Sequence, residues 1–201
     1  VTPVVVSSSD ETELRVWAAD TGAEIARLDT LQFKNHNAAV SPDGRFVAAA
    51  CFTADVKIWE VLRSKERGGA PVGMDTKNAS MLLKGHKGAV QWVAFTQDAR
   101  GVVTVSKDKT MKLWNIAVRS HVNEDPKIIA SIDISREMNG GKTLPTRVAV
   151  SPGGVVAVVI GTSLLFYEMG PGVPGGGRLL ERVEGAHGGE EVTWMEWSRR
   201  T

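Results

Sequence analysis

Ser106, His86 and Asp108 are the side-chain types of a hydrolytic relay: a hydroxyl nucleophile, an imidazole base and a carboxylate that orients the base. Ser106 and Asp108 sit in VSKDKTMKLWN (105–115), which Trp114 closes, and a Gly85-His86 pair lies upstream. Acyl transfer at Ser106 would also need oxyanion donors and a cleft beside the hydroxyl. A tight turn flanked by Lys107 and Lys109 suggests neither. The same residues can serve instead as a polar brace inside a scaffold, and this is the reading the local pattern favours.

Other motifs that carry chemistry fail on context. GPGVPGGG (170–177) contains Gly-x-Gly-x-x-Gly at Gly170, Gly172 and Gly175, but Pro171 and Pro174 followed by glycines do not open the helix that would hold a pyrophosphate. GGKT (140–143) ends like a phosphate loop, yet Arg136 stands where its first glycine belongs and the chain runs on to Pro145 and a strand. The four histidines are dispersed and Cys51 is the single cysteine, so neither a metal nor any other cofactor is expected. The acidic pairs Glu124-Asp125 and Glu190-Glu191 lack the companions that acid-base work requires. No residue is therefore assigned a catalytic role, and the chain is expected not to be an enzyme.

The elements that position these residues follow from bulk properties and repetition. With 201 residues, 42% hydrophobic and 23% charged, the chain can bury a substantial core. A net charge of +1 gives no long-range field toward nucleic acid or membrane. One cysteine points to a reducing compartment. The longest apolar run, VVAVVI (155–160), is far short of the roughly 20 residues that span a bilayer, so no membrane contact is expected of this stretch. The opening Val, with no leader, reads as an internal piece of something longer.

Four segments align: 7–22, 41–61, 96–116 and 151–169, ending near Trp17, Trp59, Trp114 and Tyr167, at spacings of 42, 55 and 53. In the later ones a turn signal such as Ser-Pro-Asp-Gly precedes an apolar run, a polar tight turn and a second run closed by the aromatic, which predicts a meander of short strands. The runs FVAAACF, GVVTVS and VVAVVI are apolar on both faces, as expected where sheet stacks on sheet.

These features resemble the WD-repeat family, and LKGHKGAVQWVAFTQDARGVVTVSKDKTMKLWNI (83–116) carries the resemblance best, with Gly-His, the Ser-x-Asp turn and Trp114 at 28 residues after His86. The resemblance implies an all-β fold, a β-propeller of four-stranded antiparallel blades, about four of them present and closing in the intact protein at about seven. It also implies a structural network in which Trp114 bonds Ser106, Ser106 bonds His86 and His86 bonds Asp108. The corresponding positions hold Ser9 and Glu11 in the first unit and Cys51 and Thr53 in the second, so only one network is complete. His36 falls inside a strand, and only His187 looks like a second loop histidine of the family type.

The blades expected on this reading are a partial one at 1–30, whole ones at 31–85, 86–135 and 136–186, and the first strand of another, VTWMEWS, within 187–201. An open arc would leave apolar end faces in water, which again suggests a piece of a longer protein. The alternative is that the last strand completes the first blade and closes a ring of four. The connections 62–79, 117–126 and 170–177 are expected to cluster on one rim, with Arg63, Lys65, Arg67 and Arg119 as candidate contacts. Lys84, Lys87, Lys107 and Lys109 flank His86 and Asp108, and are expected on one face as a patch for RNA or a phosphorylated peptide.

Within the family, ACFTADVKIWEV (50–61), LKGHKGAV (83–90), VSKDKTMKLWN and NEDPK (123–127) resemble a narrower branch. That resemblance implies a non-enzymatic scaffold facing the cytoplasm, tethered to the endoplasmic reticulum by a helix outside this stretch. Its implied partners are other proteins, among them a stress-activated kinase, and RNA.

Overall fold

The computed structural model describes residues 3–9, 12–30, 35–65, 69–117 and 124–198. They form four antiparallel sheets in chain order and no α-helix. The first sheet is β1 (Val4–Ser8), β2 (Glu13–Ala18) and β3 (Glu24–Asp29). The second runs β4 (Asn35–Val40), β5 (Phe46–Cys51) and β6 (Val56–Arg63), with both β7 (Pro71–Met74) and β8 (Met81–Leu83) paired to β6. The third is β9 (Val90–Phe95), β10 (Gly101–Ser106), β11 (Thr110–Asn115) and β12 (Lys127–Asp133). The fourth is β13 (Pro145–Val150), β14 (Val155–Ile160), β15 (Ser163–Met169) and β16 (Gly177–Val183). This is the all-β fold expected: antiparallel blades of a β-propeller, stacked face on face.

The strands apolar on both sides explain the stacking, because alternate residues of one strand enter two different cores. Phe46, Ala48 and Ala50 of β5 join Ile58, Val93, Phe95 and Trp114 between the second and third sheets. Val47, Ala49 and Cys51 of the same strand join Leu14, Val16 and Leu28 between the first and second. β10 repeats the arrangement, with Val102 in the core shared with the second sheet and Val103 and Val105 in the core shared with the fourth. Burying an aliphatic side chain in this way contributes about 1.5–3 kcal/mol.

Each inner hairpin is set by its turn. Ser41 Oγ donates to Asp43 at 2.6 Å, the backbone N–H of Phe46 returns to Ser41 Oγ at 2.8 Å, and Gly44 takes φ +67°. Thr96 and Asp98 do the same ahead of β10.

Two expectations are corrected here. VTWMEWS (192–198) forms no strand. A strand exists only where a neighbouring edge accepts its ladder, and no described strand pairs with this segment, in the first sheet or elsewhere. It is held instead by Arg147 Nε donating to the Thr193 carbonyl at 3.0 Å, while Trp194 is 68% exposed. The connection 62–79 is less a loop than expected, because β6 runs on to Arg63 and pairs with β7. The two glycine-rich stretches behave as turns: short 3-10 segments at Asn139–Gly141 and Pro174–Gly176 lead into strands. No helix among the described residues is long and apolar enough to cross a membrane.

Candidate functional site

The polar network of the third sheet is set by strand register. Trp114 stands directly opposite Val102 across the β10–β11 pair. The next residue of β10 on the same face is Thr104, about 7 Å along the strand, and the indole reaches it: Trp114 Nε1 donates to Thr104 Oγ1 at 2.8 Å. Thr104 Oγ1 lies 2.7 Å from His86 Nε2, and His86 Nδ1 lies 2.9 Å from Asp108 Oδ2. Indole can only donate, so the threonine oxygen accepts from Trp114 and gives its own proton to Nε2 of a neutral His86, whose Nδ1–H then donates to Asp108. Asp108 is held in turn by the Lys87 and Thr110 N–H groups and by the Thr110 hydroxyl.

Ser106 is therefore not the hydroxyl of the network. It lies one further face-step along β10, about 14 Å from the level of Trp114, beyond a register shift between Val105 and Ser106. Its hydroxyl donates to the Gly88 carbonyl at 2.8 Å and accepts from the Asp108 N–H, pinning the turn. Gly85 shows why glycine precedes the histidine. At φ +155°, a Cβ there would stand 2.8 Å from Ile128 Cδ1 and 3.2 Å from the Trp114 ring.

Burial sets the protonation. Desolvation pushes His86 below its ordinary pKa, with Asp108 opposing. Burial alone would raise Asp108, but the Thr110 hydroxyl, the Lys87 N–H and His86 outweigh it and hold the carboxyl below its usual range. Hydroxyl, imidazole and carboxylate thus stand in relay order, with Thr104 in the nucleophile position. The hydroxyl cannot meet a substrate, since Thr104 is 0% exposed and its oxygen already accepts from Trp114. What the arrangement does is satisfy buried polar groups that would otherwise each cost about 1–3 kcal/mol.

The same register carries to the other sheets. Trp17 faces Val5, and its Nε1 donates to Ser7, not Ser9, at 2.9 Å. Trp59 faces Val47, so its counterpart hydroxyl position holds Ala49, while Tyr167 faces Val156 and meets Val158 there. Cys51 is a buried apolar filler whose thiol donates to Asn35 Oδ1 at 3.2 Å. Burial pushes that thiol up to about 11. Burial and Glu137 likewise push the Tyr167 phenol upward. His36 lies in β4, 2.9 Å from the Val90 carbonyl, and His187 lies in a turn. Glu11 lies outside the described residues.

Residues 77–115, which include this network, match the family of the WD domain, G-beta repeat. The chain is a WD-repeat protein. It is 35% identical to transducin beta-like protein 2 of Homo sapiens over 182 residues, 90% of this chain and 38% of that one. With the Mus musculus protein of the same name it shares 32% over 165 residues, 82% of this chain and 35% of the relative. A target of rapamycin complex subunit of Schizosaccharomyces pombe is 26% identical over 117 residues, 58% of this chain and 33% of that subunit. The chain thus spans little more than a third of the two relatives of shared name.

The WD-repeat surface does not assemble the lysines as expected. Lys107 extends over the exposed Phe52 ring of the second sheet, 5.3 Å from its centroid. Lys109 turns toward Asp133 and Gly141. Lys84 lines a groove with Asp98, Arg100 and Glu124. Lys107 and Lys109, on either side of Asp108, therefore leave the turn toward different neighbours. Arg63 is not a free contact either: its guanidinium donates to the Gly69 carbonyl at 3.0 Å and the Gly44 carbonyl at 2.7 Å, fastening the β6–β7 extension to the turn before β5. Lys65 is exposed, and Arg67 and Arg119 lie outside the described residues.

Proposed function

We propose that this WD-repeat chain is a non-enzymatic scaffold for protein–protein interaction. The observation that carries this reading is the closure of its relay: the Thr104 hydroxyl, placed against the imidazole–carboxylate pair, is sealed under Trp114 and serves packing. A rigid stack of sheets displaying loops is suited to recognition, and one relative is named as a subunit of a complex. The finer reading is what the resemblance carried by the stretches 50–61, 83–90, 105–115 and 123–127 implies: an adaptor in endoplasmic-reticulum stress signalling, facing the cytoplasm and tethered to that membrane, with a stress-activated kinase among its partners.

The test is affinity capture with the intact protein, before and after ribonuclease, from stressed and unstressed cells. A set of proteins retained after RNA digestion, a kinase among them under stress, is the expected result. Loss of every contact on digestion would overturn the scaffold reading in favour of an RNA-binding propeller.

A further inference from the structure

Between the second and third sheets lies a groove of about 680 Å³, within the range of about 300–1,000 Å³ usual for ligand sites. Phe46, Met81 and Ile116 give it an apolar floor, and Leu82, 38% exposed, forms part of its wall. Leu82 belongs to β8, which pairs only with β6, so its other edge carries no strand among the described residues. An extended chain is the shape that suits such an edge.

The rim fixes the sign of the occupant. Asp43, Glu60, Asp98, Glu124 and Asp125 line it, against Arg45, Lys84 and Arg100: five acids to three bases, in a chain whose overall charge is +1. Arg45 is already paired with Glu60 at 2.7 Å and Glu124 with Lys127 at 2.6 Å, which leaves Asp43, Asp98 and Asp125 against Lys84 and Arg100. Asp98 is held by the Thr96 hydroxyl and the Arg100 N–H, which keep its carboxyl below the usual range. A phosphate-bearing ligand would be repelled here, and a cationic one attracted.

We propose that this groove docks an extended peptide segment of a partner protein, with an apolar side chain for the Phe46–Ile116 floor flanked by lysine or arginine for the acidic rim. The proposal rests on the scaffold reading and gives the partner its chemistry. The probe is a short fluorescein-labelled peptide with a leucine–phenylalanine pair between arginines, titrated into the intact protein and compared with a counterpart carrying glutamates for arginines. The basic peptide binds, weakening with added salt, and the acidic one binds at least about tenfold more weakly. Glu124→Lys with Asp125→Lys, both exposed, lowers affinity for the basic peptide about tenfold with unchanged melting. Leu82→Ser weakens both the peptide and any partner that uses the floor.

Equal binding of the two peptides, no binding of the basic one, or unchanged affinity in these variants would each overturn the proposal. Capture by the intact protein separates this from the broader reading. If ribonuclease-resistant partners are kept by the double lysine variant, the scaffold stands and the groove falls; if ribonuclease removes every partner, the scaffold reading falls and the peptide titration alone decides the groove.

Discussion

Replacing Thr104 by valine keeps the branched shape of a residue that is 0% exposed and removes only its hydroxyl. Two buried groups lose their partner: the Trp114 Nε1–H, which now donates to that oxygen at 2.8 Å, and His86 Nε2, 2.7 Å from it. An orphaned buried donor or acceptor costs about 1–3 kcal/mol, so the pair sums to about 2–6, with a mid-value of about 4 kcal/mol. In a chain of this length each kcal/mol moves the melting temperature by roughly 2–4 °C, giving a fall of roughly 8–16 °C. Ser106→Ala loses one bond to Gly88 and leaves the Asp108 N–H without its acceptor, a cost of about 1–2 kcal/mol. Calorimetry and urea unfolding followed by tryptophan fluorescence read both variants. A second handle is the indole proton of Trp114, which exchanges slowly in the parent and faster in Thr104→Val. If Ser106→Ala proves as damaging as Thr104→Val, or if Thr104→Val melts with the parent, the network has been drawn through the wrong hydroxyl.

The remaining tests concern titration. His86 has a folded pKa below its ordinary 6.5, so its contribution to stability is complete above about 6.5 and is lost as pH falls through the lower folded value; Asp108, held below its ordinary 3.8, adds a further loss below about 3.8. The urea midpoint should therefore fall as pH drops below about 6.5, and His86→Gln should flatten that slope; a slope unchanged in the variant would refute the assignment. Cys51, buried with its thiol pushed up to about 11, should resist a thiol reagent at mildly alkaline pH in the folded chain and react once per chain in denaturant. Fast modification of the native protein would count against this environment.

The recurring aromatic and the runs without polar alternation made the stacked sheets legible from residues alone, because a strand such as FVAAAC has no face to give to water. The Gly85-His86 pair and Asp108 were also legible as partners, since each lies where the chain turns. Ser106 was misplaced for a definite reason. Counting back from the tryptophan to the hairpin finds a serine beside the turn, but which hydroxyl the indole meets depends on the residue opposite it, and Val102↔Trp114 selects Thr104. Register is a relation between two strands, and neither carries it alone. VTWMEWS failed similarly, since its alternation supplies propensity while a ladder needs a neighbour. Lys107 and Lys109 diverge because nearness in sequence says little about direction at a tight turn, where Lys109 takes φ +69°.

The division of β5 and β10 between facing cores has a consequence for how damage spreads. Val102 and Val103 are covalent neighbours, yet one is shared with the preceding sheet and the other with the following one. A lesion at either loosens a different seam, while loss of the whole strand opens both. Mechanical and thermal integrity in such a stack is therefore collective, passed from each layer to the next like tension along a row of clasped hands, and no single layer can be lifted out with its solidity intact.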